Sequence, residues 1–283
     1  MTESKAPRAP GPWDPRPEDI VPPSSKPQPG AAAGPALDKG QNPLWALVST
    51  LLLGGLIWYL SGSWIIAVAA IWGLFVHEYG HVLAMNALGM GPARIYIIPF
   101  FGGLAKSQRL PQSEWHGVLV SLAGPAFGLL AAIPFFAFYA FDGQPAWLVG
   151  AAVIAAINLI NLAPAPPLDG SRALGPVLAH IHPTFERVAM AAVGGLVVWW
   201  GVVSGYWLLA AFLAIALIGH LKRGAWRPDG RPLSRRESLF SVGLFLAAVV
   251  ACAAVGVAAV LPLGDGSLQD AVAVAGRSLG VTR

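Results

Sequence analysis

Seven long apolar segments dominate the sequence and leave few possible folds. They cover residues 44–60, 64–88, 115–141, 146–163, 187–203, 205–221 and 238–261. A bilayer core about 30 Å thick needs roughly 20 helical residues, so each segment is long enough, or nearly so, to cross it. Only 11% of the residues are charged, against about 25% in an ordinary soluble domain. The fold class that we predict is an all-α polytopic membrane protein with about seven transmembrane helices.

A count of six helices is the alternative, because only Ser204 and Gly205 separate two of the segments. The distribution of basic residues favours seven. With seven helices, the loops that contain most of the lysines and arginines share the side of the N-terminus; they are 89–114, 164–186 and 222–237. By the positive-inside rule that side is the cytoplasm. The basic residues then act as topology signals, so we exclude nucleic-acid binding.

The two ends of the chain differ from the apolar region between them. Residues 1–43 are rich in proline, glycine and alanine and show no hydrophobic period, which predicts a disordered cytoplasmic tail. Residues 44–261 form one transmembrane domain, with a catalytic core at about 64–180, and residues 262–283 form a short C-terminal tail. The β-branched and aromatic segment 93–105, interrupted by proline and glycine, predicts a short membrane-associated β-hairpin.

The second apolar segment contains His77-Glu78-Tyr79-Gly80-His81, which matches the pattern HExxH. Two histidines four positions apart lie on one face of a helix, so both imidazoles can reach the same metal ion. Glu78 can then deprotonate a metal-bound water. Three ionisable groups within one membrane helix are costly and usually mark a functional site. The pattern therefore predicts a site for one zinc ion.

A hydrolytic zinc site needs a third protein ligand. The single cysteine, Cys252, excludes a thiolate cluster and an internal disulfide. Asp169 follows the fourth apolar segment at the membrane depth of the HExxH histidines, where a carboxylate without a cation would be costly. The remaining candidates are the other histidines, His116, His180, His182 and His220.

A second motif strengthens this interpretation. Residues Asn161 to Gly170 match the pattern N-x-x-P-x-P-x-L-D-G, and together with HExxH they resemble the site-2 proteases, a family of intramembrane zinc metalloproteases. The segments 121–125 and 101–103 are also similar to the core of that family, and the resemblance covers about residues 45–180. Peptide-binding and nucleotide-sensing domains occur in many members. Neither is expected here, since loop 142–145 and the tail after 261 are short.

The resemblance implies roles for individual residues. His77, His81 and Asp169 would be the zinc ligands, and Glu78 would be the general base. Asn161 would orient the substrate or stabilise the oxyanion, as a neutral donor can. The hairpin residues Phe101, Gly102 and Gly103 would bind an extended substrate by strand addition.

These inferences predict an intramembrane zinc endopeptidase that cuts in or near transmembrane segments during regulated intramembrane proteolysis. Its partners would be single-span membrane proteins and the lipid bilayer. It would lie in a bacterial inner membrane, with the active site towards the cytoplasmic half. The alternatives are an inactive membrane scaffold and a divalent-metal transporter. Retention of all four motif residues disfavours the scaffold, and the lack of charged residues between 188 and 219 disfavours the transporter.

Overall fold

The computed structural model describes residues 40–98, 102–205, 207–223 and 230–264, together with positions 267, 270, 273 and 274. Nearly all of the predicted tail 1–43, most of segment 262–283, and Phe101 lie outside these residues. The described chain forms nine α-helices and one two-stranded antiparallel hairpin.

The elements follow one another in a simple order. The first half contains α1 (Pro43–Ser61), α2 (Trp64–Ala87), β1 (Arg94–Ile98), β2 (Gly102–Lys106), α3 (Glu114–Leu130) and α4 (Ile133–Asp142). The second half contains α5 (Pro145–Asn161), α6 (Asp169–Ile181), α7 (Pro183–Val203), α8 (Trp207–Arg223) and α9 (Arg235–Val260), with a 3-10 turn at Leu261–Gly264.

Every predicted apolar segment coincides with helix in the described structure. Five helical stretches are long and apolar enough to cross a membrane: Pro43–Ser61, Trp64–Ala87, Glu114–Asp142, Pro183–Val203 and Arg235–Gly264. Pro145–Asn161 and Leu209–Lys222 are apolar but shorter. The count of seven spans and their orientation therefore stay predictions. The third segment is interrupted at Ala131 and Ala132, where Pro134 in the first turn of α4 lacks an N–H for a continuous helix.

Two glycines on α2 allow neighbouring helices to pack tightly on either side of it. A Cβ atom at Gly73 would lie 2.9 Å from Cγ1 of Ile154 on α5. A Cβ atom at Gly80 would lie 2.6 Å from the carbonyl oxygen of Ala123 on α3. Since neither position has room for a side chain, α2, α3 and α5 form a close three-helix centre. Gly80 is one of the two unspecified positions of HExxH, so the motif also sets this packing.

Of the remaining helices, α9 contacts the three-helix centre directly, whereas α7 packs against α6 and α8. α9 packs against α3, α5 and α6. The chain before α9 is fixed to the start of α3, where the Glu114 carboxylate accepts a hydrogen bond from the Leu233 amide at 3.0 Å. Large apolar side chains on the outer faces, such as Tyr59, Leu196 and Val250, are exposed, as expected for surfaces that contact lipid.

The predicted hairpin at 93–105 is present, shifted by one residue. β1 and β2 pair antiparallel, with Ile95 opposite Ala105 and Ile97 opposite Gly103. Gly102, at the start of β2, has a positive φ of 111°, which a residue without a Cβ atom adopts without strain. The hairpin lies against α2.

The prediction that 164–186 is a loop is wrong. The chain forms α6 from Asp169, directly after the prolines at 164, 166 and 167, and α6 contains a further proline, Pro176, in its interior. Prolines that precede a helix remove none of its hydrogen bonds. His180 therefore lies in the last turn of α6, and His182 caps α7 by accepting a hydrogen bond from the Thr184 amide at 3.1 Å.

Candidate metal centre

The two histidines of α2 are held with their Nε2 atoms directed at one point. The Nδ1 atom of His81 lies 2.7 Å from the carbonyl oxygen of Val120, which can only accept, so Nδ1–H donates. The Nδ1 atom of His77 lies 2.9 Å from Oδ1 of Asn158. Asn158 donates its own Nδ2 to the carbonyl of Ile154 at 2.8 Å, which leaves Oδ1 as the acceptor. In both neutral imidazoles, Nε2 therefore carries a lone pair.

Asp169, the first residue of α6, completes the cluster. Its Oδ2 atom lies 3.0 Å from Nε2 of His77 and 3.2 Å from Nε2 of His81, and the two Nε2 atoms are 3.1 Å apart. Oδ2 is buried and has no hydrogen-bond partner among the described residues. With both imidazoles neutral, the three atoms that face each other are all electron-pair donors, an arrangement that a cation stabilises.

The spacing of these atoms fits zinc. In a tetrahedral site with bonds near 2.0 Å, neighbouring ligand atoms are about 3.3 Å apart, close to the measured separations. Zinc binds imidazole nitrogen and carboxylate oxygen, and a catalytic site uses three such ligands. His77 and His81 are 1% and 6% exposed, so bulk water does not compete freely for the ion.

The space around the imidazoles is limited by a glycine on α3. A Cβ atom at Gly124 would overlap Nε2 and Cε1 of His81 and would lie 2.9 Å from Nε2 of His77. A second glycine, Gly128, faces Asn158 in the same way, since a Cβ atom there would overlap the carboxamide. Gly124 thus allows the backbone of α3 to pack against His77 and His81. Gly128 allows it to pack against Asn158, which orients His77.

Glu78 lies beside the cluster but does not belong to it. Its Oε2 atom accepts a hydrogen bond from the Ala105 amide of β2 at 2.8 Å, and the residue is 7% exposed. A Cβ atom at Gly103 would lie 2.5 Å from Cγ of Glu78, so the side chain runs directly beneath the strand. A buried carboxylate next to the metal ligands is in the position that a general base requires.

Two cavities meet β2 near Glu78. A groove of about 870 Å³ lies between α1, α2 and the hairpin and is lined almost entirely by apolar side chains; it reaches Glu78 and Gly103. A second cavity of about 510 Å³ includes polar groups and has Ala105 in its wall. Its polar side chains include Lys106, Ser121, Arg172, Glu186 and His220. The Ser121 hydroxyl is buried and has no hydrogen-bond partner among the described residues.

The other predicted residues lie in different surroundings. Among the described residues, the group able to hold a metal consists of His77, His81 and Asp169, and includes none of the four other candidate histidines. His220 instead lies 3.7 Å from Glu186 of α7. The Asn161 amide donates to the carbonyl of Ile157 in its own helix at 2.9 Å, so its assignment to substrate or oxyanion stays a prediction.

Sequence reasoning missed Asn158, Gly124 and Gly128 as parts of the site. Asn158 is fully buried in a helix whose other polar side chain is Asn161, and a carboxamide in such an apolar segment was the available signal. Its partner could not be identified, because His77 is 81 positions away in the sequence.

We expect Asn158→Leu to weaken zinc binding by about 10–100-fold, since it removes the acceptor that orients His77. Zinc affinity would be measured by competition with a chromogenic chelator. Asn161→Leu is the matched control on the same helix, and should change zinc affinity by less than about twofold. Equal loss of affinity in both variants would show that α5 packing, and not the hydrogen bond to His77, controls the site.

Part of the chain is similar to known peptidases. Residues 65–146, which include HExxH but not Asp169, match the family model described as Peptidase family M50. The chain is 27% identical over 208 residues to a protein of Synechocystis sp. named "Putative zinc metalloprotease"; the alignment covers 65% of this chain and 52% of that protein. The chain thus spans about half the length of the curated relative it matches. No solved structure matches it.

These matches confirm the resemblance to the site-2 protease family that the two motifs predict. They support a metallopeptidase, and the zinc in the relative's description agrees with the cluster of His77, His81 and Asp169. The family match and the five long apolar helices together indicate an integral membrane protein.

Proposed function

We propose that this protein is a zinc endopeptidase that hydrolyses peptide bonds in or near the transmembrane segments of other membrane proteins. The observation that carries the proposal is the convergence of His77, His81 and Asp169 beside the buried carboxylate of Glu78, within a centre of apolar helices. A purely structural zinc site has four protein ligands and no adjacent base, whereas the cluster among the described residues has three.

Zinc held by the three ligands would polarise the scissile carbonyl and lower the pKa of water towards about 7. Glu78 takes the proton of the attacking water and later delivers it to the leaving amine. Asn158 and the Val120 carbonyl keep both imidazoles in the tautomer that presents Nε2. The surrounding apolar side chains restrict the access of water, which strengthens these interactions.

The two cavities support a path for the substrate. The apolar groove between α1 and α2 has the surface chemistry of a transmembrane segment and includes Glu78 and Gly103 in its wall. The cavity with polar groups has the next residues of β2, Leu104, Ala105 and Lys106, in its wall. A substrate whose apolar segment lies in the groove and whose polar flank enters the cavity would pass its backbone along β2. Single-span membrane proteins have this change from apolar to polar sequence at each end of the span.

The experiment is cleavage of a single-span peptide by the purified protein in proteoliposomes. We expect cleavage with one equivalent of zinc, its loss with 1,10-phenanthroline, and its recovery when zinc is restored. A peptide with the same scissile sequence but a polar flank in place of the apolar span is the control and should be cut at least tenfold more slowly. If the metal-loaded protein binds the peptide but releases no fragments, the proposed function is wrong.

A further inference from the structure

Ser121 lies in the middle of α3 and is 2% exposed. A hydroxyl inside a helix commonly donates to the carbonyl four residues earlier, as Thr50 and Ser61 do on α1 at 2.8 and 2.7 Å. The Ser121 hydroxyl forms no such bond, and no other described residue is its hydrogen-bond partner. A buried hydroxyl without a partner destabilises a fold, so its presence indicates a partner that is not part of the fold.

The position of Ser121 shows where such a partner can bind. Ser121 lies in the wall of the cavity of about 510 Å³ that also includes Ala105. Ser49 of α1 is also fully buried and also lacks a partner among the described residues, but it belongs to the wall of neither cavity. Of these two hydroxyls, only that of Ser121 is therefore within reach of a molecule in the cavity.

α3 brings Ser121 next to the metal ligands. The carbonyl of the preceding residue, Val120, accepts from the His81 imidazole at 2.7 Å. Three residues after Ser121, or about 4.5 Å along the helix axis, Gly124 faces both imidazoles. The cavity wall also contains Ala105, whose amide holds the carboxylate of the proposed general base. Ser121 therefore lies at the end of the cavity that adjoins the candidate metal centre.

The hydroxyl has the chemistry of a binding group and not that of a nucleophile. A serine nucleophile needs a base within hydrogen-bond reach to take its proton, and no described residue bonds to the Ser121 hydroxyl. As a neutral donor, it suits a peptide carbonyl. Under the proposed function, the polar flank of the substrate lies in this cavity. Successive residues of an extended chain are about 3.4 Å apart, so the peptide group next to the scissile one reaches the depth of Ser121.

We propose that the Ser121 hydroxyl donates a hydrogen bond to the substrate carbonyl of the peptide group next to the scissile one, on the side of the polar flank. The proposal rests on the proposed function and adds to it a substrate-binding residue on α3. This bond holds the flank in the cavity while the scissile peptide group lies at the metal ligands. Ser121 takes no part in proton transfer, so its loss affects substrate binding more than the chemical step.

Ser121→Ala removes the donor and changes the volume of the side chain little. We expect KM for the single-span peptide to rise about 3–10-fold, as for the loss of one neutral hydrogen bond, with kcat within about twofold of wild type. Zinc content should stay at one ion per chain. The thermal midpoint Tm should equal or exceed that of wild type, because no hydrogen bond between described residues is lost, whereas a structural role would lower it. Cleavage in proteoliposomes, atomic absorption and thermal unfolding would measure these quantities.

Ser49→Ala is the matched control, since it removes a buried hydroxyl that also lacks a described partner but lies outside both cavities. Its Tm should likewise equal or exceed that of wild type, while KM and kcat stay within about twofold. A similar rise in KM in both variants would show that the effect comes from helix packing and not from the cavity, and would overturn the proposal.

The substrate can be altered at the proposed acceptor. A peptide whose next peptide bond on the side of the polar flank is replaced by an (E)-alkene lacks this carbonyl. We expect wild type and Ser121→Ala to cleave the alkene peptide with kcat/KM values within about twofold of each other, although they differ about 3–10-fold on the parent peptide. A difference that persists on the alkene peptide would show that Ser121 binds another group and would overturn the proposal. Unchanged kinetics of Ser121→Ala on the parent peptide, loss of its zinc, or a lowered Tm would overturn it as well. If the wild type cleaves neither peptide, it is the proposed function that fails.

Discussion

Glu78→Gln is expected to retain one zinc ion per chain and to lower kcat by about 10²–10⁴-fold. Glutamine keeps the size of the side chain and can still contact β2, but it cannot accept the proton of water. The carboxylate is bonded to the Ala105 amide and is not part of the ligand cluster, so its loss leaves the metal bound. Zinc content by atomic absorption and single-turnover cleavage would measure the two properties separately.

Asp169→Ala is the contrasting variant and should lose both zinc and activity. Without Oδ2 of Asp169, only the Nε2 atoms of His77 and His81 remain as protein ligands for the zinc ion, two instead of three. The assignment of the third ligand would be wrong if Asp169→Ala kept stoichiometric zinc. The assignment of the base would be wrong if Glu78→Gln retained more than a tenth of wild-type activity.

Gly124→Ala should weaken zinc binding strongly although no ligand is changed. The added methyl group would overlap His81 and lie 2.9 Å from Nε2 of His77, so at least one imidazole must move. We expect zinc affinity to fall by about 100-fold or more, equivalent to roughly 3 kcal/mol of overpacking. Isothermal titration with zinc would measure the loss.

Gly117→Ala is the control on the same helix, since a Cβ atom there meets nothing within 4 Å. It should keep wild-type zinc affinity and stabilise α3 slightly, by up to about 1 kcal/mol. Normal zinc affinity in Gly124→Ala would mean that α3 can move away from the imidazoles, and that the close packing of α2 and α3 does not define the site.

Some parts of this molecule could be predicted because their geometry is local. The spacing of His77 and His81 fixes their common face from helix geometry alone. A β-branched and aromatic segment interrupted by proline and glycine predicts the hairpin. Asp169 was assigned by resemblance and by membrane depth, and the structure brings it to the histidines. The apolar segments likewise predict where helices lie, because length and composition suffice for that.

Other parts depend on contacts between distant segments, which sequence patterns do not encode. Asn158 and Asn161 have the same chemistry, and only the packing of α5 against α2 shows which of them reaches His77. Gly124 resembles any helix glycine until the imidazoles are placed opposite it. α6 was missed because the preceding prolines suggested an extended chain, whereas they end just before the helix begins.

The alternation of β2 has a consequence for how this chain can vary. Because outward and inward positions alternate, insertion of one residue within the strand would turn the amide now at Ala105 towards β1 and leave Glu78 facing a carbonyl or nothing. Insertion of two residues would restore an outward amide. A one-residue insertion at this strand would therefore need a β-bulge to keep an outward amide beside Glu78, although the strand contributes none of the metal ligands. The number of residues in β2 therefore determines whether a backbone amide faces Glu78 on α2.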